Sequence, residues 1–194
     1  MTDIKIANPG PLGLAGFALT TFVLSLINAG VLEASHVGIV IGLAIAYGGI
    51  AQFSAGMWEF RSGNTFGATA FSSYGAFWIS FGILLIGTGI TKDNAPSDTA
   101  VGYYLIGWAI FTGLMMLASF RTNGATALVF ILLFITFLLL GIGKLGPSTN
   151  IYALGGWFGL ATAVVAWYTA FAGVLASQSK TGKGVLPVFP FSQA

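Results

Sequence analysis

The chain reads as an all-α integral membrane protein, with a six-transmembrane-helix bundle in each protomer. Three observations lead there. Hydrophobic residues make up 56% of the 194-residue chain and charged residues only 6%, against about 25% charged in a soluble domain. Six apolar stretches each approach the roughly 20 residues that a helix needs to cross about 30 Å of hydrocarbon. The connections between them are too short to hold a soluble domain. Backbone polar groups in lipid must pair internally, so the spans are helices or barrel strands. These runs exceed the roughly 10 residues of a barrel strand and do not alternate, which selects helices.

The expected spans are 11–32, 37–58, 67–90, 100–120, 124–143 and 151–176. Residues 1–10 then form an N-terminal segment, 11–176 the membrane domain and 177–194 a tail. Short loops make consecutive helices antiparallel neighbours. The start of the chain lacks the pattern of a signal peptide and is expected to stay uncleaved. Lys5, Arg61, Arg121, Lys180 and Lys183 fall on one side, and Lys92 and Lys144 on the other. By the positive-inside rule this places both termini in the cytoplasm of a cell-membrane protein.

Composition also excludes several activities. There is no cysteine, hence no disulfide, thiol nucleophile or Cys-based metal site. A formal charge of +2 without a basic run offers nucleic acid no phosphate-binding surface. The spans carry no ionisable residue, which argues against a pump built on a mid-membrane carboxylate. His36 is the single histidine and lies in a loop near Glu33. No nucleophile–base pair or metal-ligand set is visible, so neither an enzyme, a metal nor a cofactor is expected.

What the spans do carry is hydroxyl, amide and aromatic groups on definable faces. Phe17, Thr20 or Thr21, Leu24 and Asn28 share one stripe of the first helix. Ile45, Gly48, Gln52, Gly56 and Glu59 stack on the second. Thr69, Ser73, Phe77 and Ser80 line a face of the third, with Tyr74 and Trp78 beside it. Such stripes could surround a narrow polar path, or the hydroxyls could bond their own helix and the glycines serve close packing. Gln52 stands out because a mid-span amide is costly without a partner. The 28 glycines leave room for a broken helix whose backbone lines a cavity.

Two loops repeat. Phe60-Arg61-Ser62-Gly63-Asn64-Thr65-Phe66-Gly67-Ala68-Thr69-Ala70 echoes Phe120-Arg121-Thr122-Asn123-Gly124-Ala125-Thr126-Ala127, and Phe158-Gly159-Leu160-Ala161-Thr162-Ala163 is a third fragment. Each Asn or Thr is placed to cap a helix entering the membrane. The opening Asn8-Pro9-Gly10-Pro11-Leu12-Gly13-Leu14 suits a helix start, with Pro in the first turn. Asn8 can cap there. The segment reads as a simple helix start or, through the free N–H groups after Pro11 at the positive end of the helix dipole, as a seat for a carboxylate or other anion.

That opening resembles the signature of the acetate uptake transporter family, which includes bacterial succinate–acetate permeases. The resemblance continues through Tyr47-Gly48-Gly49-Ile50-Ala51-Gln52, Gly63-Asn64-Thr65-Phe66-Gly67, Thr69-Ala70-Phe71-Ser72-Ser73-Tyr74-Gly75-Ala76-Phe77-Trp78 and Gly156-Trp157-Phe158-Gly159-Leu160. Gly10 departs from the family's usual Ala. The resemblance implies a six-helix protomer, a homohexamer with a path in each subunit, and passage of acetate, succinate and related small carboxylates. It also implies an apolar constriction, which motif alignment puts at Phe17, Tyr74 and Leu133, and a size-setting position at Ala166. With Asn8, Thr20, Thr21, Gln52 and Ser73 these are the expected path residues.

The chemistry is compatible. A bare carboxylate in hydrocarbon needs donors or must travel protonated, and with a pKa near ~4 roughly one molecule in a thousand is neutral at pH 7. An anion channel and a proton symporter both remain open. So do a channel for water, ammonia or a polyol, and an acetate sensor or scaffold that moves nothing.

Overall fold

The computed structural model describes residues 6–90, 95–179 and 184–191. Six helices in it are long and apolar enough to cross a membrane. They are α1 (Gly10–Asn28), α2 (Ala34–Arg61), α3 (Thr65–Ile90), α4 (Asp98–Ser119), α5 (Gly124–Leu145) and α6 (Thr149–Gln178). The described residues contain no strand, only one isolated bridge between Asn123 and Pro190. Lys5, Lys92, Lys180 and Lys183, on which much of the charge asymmetry rests, lie outside the described residues.

Local chemistry explains most helix ends. Asn123 Oδ1 accepts from Thr126 N at 2.9 Å, Ser97 Oγ from Ala100 N at 3.2 Å and Asn64 Oδ1 from Gly67 N at 3.1 Å. Each satisfies a donor that a helix start leaves without an intrahelical partner. The apolar run of the first span predicts a helix to residue 32, but α1 stops at Asn28. The cause is Gly30, which takes a φ of +75° that a residue with a Cβ adopts at a cost. The turn it makes lets Val31 N donate back to Leu26 O at 2.9 Å, the closure of a Schellman motif.

The second span is not a uniform helix. A 3₁₀ turn (Ala34–Val37) leads into Gly38–Ile45, then a π-helical turn over Ala46–Ala51, then Gln52–Arg61. The possible break of a glycine-rich span is here a wide turn at Gly48 and Gly49, with the backbone still helical. Such turns re-phase the helix that follows them, and here the residue that follows is Gln52.

Packing is tightest where small residues meet. A Cβ on Gly156 would sit against Asn28 C, at 2.6 Å, and one on Gly143 against Tyr152 N, at 2.7 Å. Backbones this close account for the contact of α6 with both α1 and α5. By contrast, α3 and α4 stand apart at the backbone and are joined by aromatic rings. Phe77 meets Trp108 at a centroid separation of 5.0 Å and Tyr74 meets Phe111 at 5.6 Å. The outer face of α4 is apolar and exposed at Tyr103, Ile110, Leu114 and Leu117. A surface of that character suits lipid or a protein neighbour rather than water. The protein is a multi-pass membrane protein.

Candidate functional site

The starts of α1, α3 and α5 converge at one end of the bundle, around a cavity of about 250 Å³. Asn8, Asn64 and Asn123 line its mouth. Their side-chain oxygens accept from Gly10 N, Gly67 N and Thr126 N at 2.9, 3.1 and 2.9 Å. Three positive helix ends thus face one space. The expectation of open N–H donors after Pro11 is corrected here. Leu12 N and Gly13 N both donate to Pro9 O, at 3.1 and 3.2 Å, so the helix start closes on its own preceding carbonyl.

Glu59 shares this mouth. It lies one residue beyond the expected span 37–58, but α2 continues to Arg61, so Glu59 belongs to its last turn; it is only 3% exposed and lines the cavity. One carboxylate oxygen accepts from Asn64 Nδ2 at 2.8 Å. Gly10 and Gly67 leave it room, since a Cβ at either would lie 3.4 or 3.1 Å from Glu59 Oε1. Among the described residues no cation pairs with it. Its register with Gln52 was visible in the stripe of α2; its burial was not, because that depends on where α1 and α3 begin.

Seven residues inward, about 10 Å at 1.5 Å per residue, each of the four helices presents a deeper lining residue. From Gly10, Glu59, Gly67 and Thr126 the step leads to Phe17, Gln52, Tyr74 and Leu133, all of which line the cavity. Phe17, Tyr74 and Leu133 are 4%, 2% and 3% exposed. The Phe17 and Tyr74 rings lie 6.0 Å apart, and the Tyr74 and Thr112 hydroxyls share a hydrogen bond of 2.9 Å. Gln52 is buried, and its Oε1 has no hydrogen-bond partner within the protein.

Beyond this level lies a second, smaller cavity of about 50 Å³. Phe17 and Leu133 line it too, together with Thr21, Asn28, Trp78 and Tyr152. Thr21 Oγ1 and Trp78 Nε1 are buried here without a partner in the protein. Their polarity is unspent in a space lined mostly by apolar side chains.

The structure therefore brings together Phe17, Tyr74, Leu133, Gln52 and Asn8 at the larger cavity and adds Thr21 at the smaller. It does not bring Thr20, Ser73 or Ala166 to either. Thr20 is fully buried, donates to Gly16 O at 2.9 Å and packs on Gly48; Thr21 is the member of the pair that faces the space. Ser73 lines an outward groove with Tyr103, Tyr104 and Trp108. The inward face of α3 is the aromatic one, Tyr74, Phe77 and Trp78, and its hydroxyl stripe is turned away. Ser80, on that stripe, bonds Phe77 O and the Tyr104 hydroxyl. Ala166 is fully buried in the apolar core.

Comparison with known proteins bears out the resemblance carried by the motifs. The chain is 46% identical over 205 residues to acetate permease A of Emericella nidulans, matching 97% of this chain and 68% of that one. It is 40% identical to the succinate-acetate/proton symporter SatP of Escherichia coli strain K12, over 97% of this chain and 98% of that one. A relative from Saccharomyces cerevisiae, ammonia transport outward protein 2, is 42% identical over 97% of this chain and 67% of its own. The structure of the bacterial acetate channel SatP superposes with a TM-score of 0.89 at 40% identity, covering 95% of this chain and 99% of that one. A family model matches residues 1–193, and the chain belongs to the GPR1/FUN34/yaaH family.

Proposed function

We propose that this protein passes acetate and related small carboxylates, succinate among them, across the membrane through the two cavities of each protomer. The observation that carries the reading is their end-to-end arrangement about one apolar level. A polar mouth at three helix ends leads to Phe17, Tyr74 and Leu133, and a smaller space with unpartnered hydroxyl and indole donors follows. Weakly held polar stations on either side of a dry constriction suit conduction, since a permeant must leave as readily as it arrives. The role is transport rather than catalysis.

Anion conduction and proton symport divide on what crosses with the carboxylate. Relatives carry both descriptions, a proton symporter and a channel. Current under voltage clamp at fixed acetate and varied pH separates them. Current carried by the anion marks a channel, and uptake that follows the proton gradient without such current marks symport. A neutral-solute path is the second reading, favoured by the relative described as an ammonia transporter. Counterflow of labelled acetate in proteoliposomes tests the first reading, and its absence alongside ammonia flux would select the second.

We further infer cytoplasmic termini in a cell membrane, because Arg61 ends α2 and Arg121 follows the end of α4 on the side where α1 begins. A reporter active only in the cytoplasm, fused after Gln193, should be active. Assembly as a homohexamer in the bilayer would cover exposed apolar surface such as that of α4. Native mass spectrometry in mild detergent should then give six copies, and a monomer alone would refute it.

A further inference from the structure

At the end of the bundle away from the asparagine mouth, one chain of contacts runs from the surface to the smaller cavity. Lys144, in the last turn of α5, lies with Nζ 2.7 Å from Asp98 Oδ1 in the first turn of α4. The same ammonium sits 5.1 Å from the centroid of the Tyr152 ring. Tyr152 donates its hydroxyl hydrogen to Asn28 Oδ1 at 3.1 Å, and Tyr152 and Asn28 both line the smaller cavity. Among the described residues, Lys144 is the only Lys or Arg at this end.

We propose that Lys144 is the docking cation for carboxylates at this end of the path, and that Asp98 is a resident carboxylate which the permeant displaces. This rests on the carboxylate reading given above. The two side chains differ in a way that supports exchange. Lys144 is held, at 28% exposure and against an aromatic face, whereas Asp98 is 68% exposed. An exposed pair of this kind contributes little to stability, so a second carboxylate can replace Asp98 on the same ammonium at small cost. The cation–π contact keeps the ammonium over Tyr152 during that exchange. An arriving carboxylate is then one ring away from the Tyr152–Asn28 hydrogen bond that borders the cavity. The apolar side chains there, Val101 and Leu140 among them, accept the methyl end of acetate.

The alternative is a plain clip between α4 and α5, and the two ideas differ in sign. Initial rates of labelled acetate movement are measured in both directions across vesicles of known orientation, with the wild type, Lys144→Gln, Lys144→Arg and Asp98→Asn. For acetate arriving at the Lys144 end, Lys144→Gln should raise KM about three- to tenfold at low ionic strength, while Asp98→Asn should lower it. Lys144→Arg should stay near the wild type. The differences should shrink when the Debye length falls from about 30 Å to about 3 Å with added salt. Arrival from the opposite end should be unaffected. Removing either half of a clip would instead lower the melting temperature in both variants and leave both KM values unchanged, which would overturn the proposal. A wild type that moves no acetate would overturn the transport reading and this inference with it.

Discussion

Phe17 and Leu133 are the two residues that line both the larger and the smaller cavity, which joins the two spaces at their level. Both are almost fully buried, yet each borders empty space on two sides. Shortening either should therefore merge the cavities before it harms the fold. A truncation in a closed core costs roughly 2–5 kcal/mol, but a residue that already borders a void loses fewer contacts. Leu133→Ala should hold its level in the membrane and pass lactate and succinate faster relative to acetate. Parallel uptake of the labelled acids, normalised to protein, checks this. Equal loss of all fluxes together with lower expression would make Leu133 ordinary packing.

Packing that really is closed should behave in the opposite way. Gly156 approaches the backbone of α1 at Asn28, where an added Cβ would lie 2.6 Å from a carbonyl carbon. Backbone cannot rotate aside as a side chain can, so Gly156→Leu should separate α6 from α1. We expect sharply reduced folded yield, read as loss of the monodisperse peak in detergent. Gly107, with nothing within 4 Å of an added Cβ, is the control, and Gly107→Ala should leave the yield unchanged.

How much of this was legible in the sequence follows from which forces act locally. Span number is set by hydropathy, and the caps at Asn64 and Asn123 by side chains that reach their own helix. Both could be read directly. The level of Phe17 and Tyr74 came from family motifs, since no local rule makes a Phe line a cavity. Ser73 was not legible because a hydroxyl stripe on a helix does not say which way the helix turns: the bundle points the aromatic residues of α3 inward, Ser73 lines an outward groove, and Ser80 bonds its own helix and Tyr104. Glu59 escaped because burial of a residue at a helix end is decided by neighbouring helix starts, Gly10 and Gly67, far from it in sequence. Gln52 was legible as an oddity, and the π-helical turn before it was not.

Gln52 offers a direct separation of stability from transport. Its Oε1 is buried and has no partner in the protein, a condition that costs about 1–3 kcal/mol. Gln52→Leu removes that cost at similar volume and should leave thermal stability equal or higher. If the amide serves the permeant, acetate flux should nonetheless fall several-fold. Thermal melting in detergent and labelled-acetate flux, measured on one preparation, decide it. Flux and stability falling together would assign Gln52 to packing.

The mouth around Glu59 makes the last prediction one of charge. Three helix N-termini of about +0.5 each and the C-terminus of α2, about −0.5, share this mouth with one carboxylate of −1, so the carboxylate cancels most of the attraction that an arriving anion would meet. Glu59→Gln removes the negative charge and keeps an oxygen able to accept from Asn64 Nδ2, so the hydrogen bond of 2.8 Å has a replacement. Two unit charges about 10 Å apart interact by roughly 0.4 kcal/mol in water and about four times that near a protein surface. Glu59→Gln should accordingly speed acetate loading from this mouth by about two- to tenfold at low ionic strength. The gain should fade as salt screens the site. Asn64→Ala strips the carboxylate of its donor but keeps the charge, so it should lower folded yield without that gain. Equal fluxes for Glu59→Gln and the wild type at low salt would mean that the carboxylate lies outside the route the anion takes.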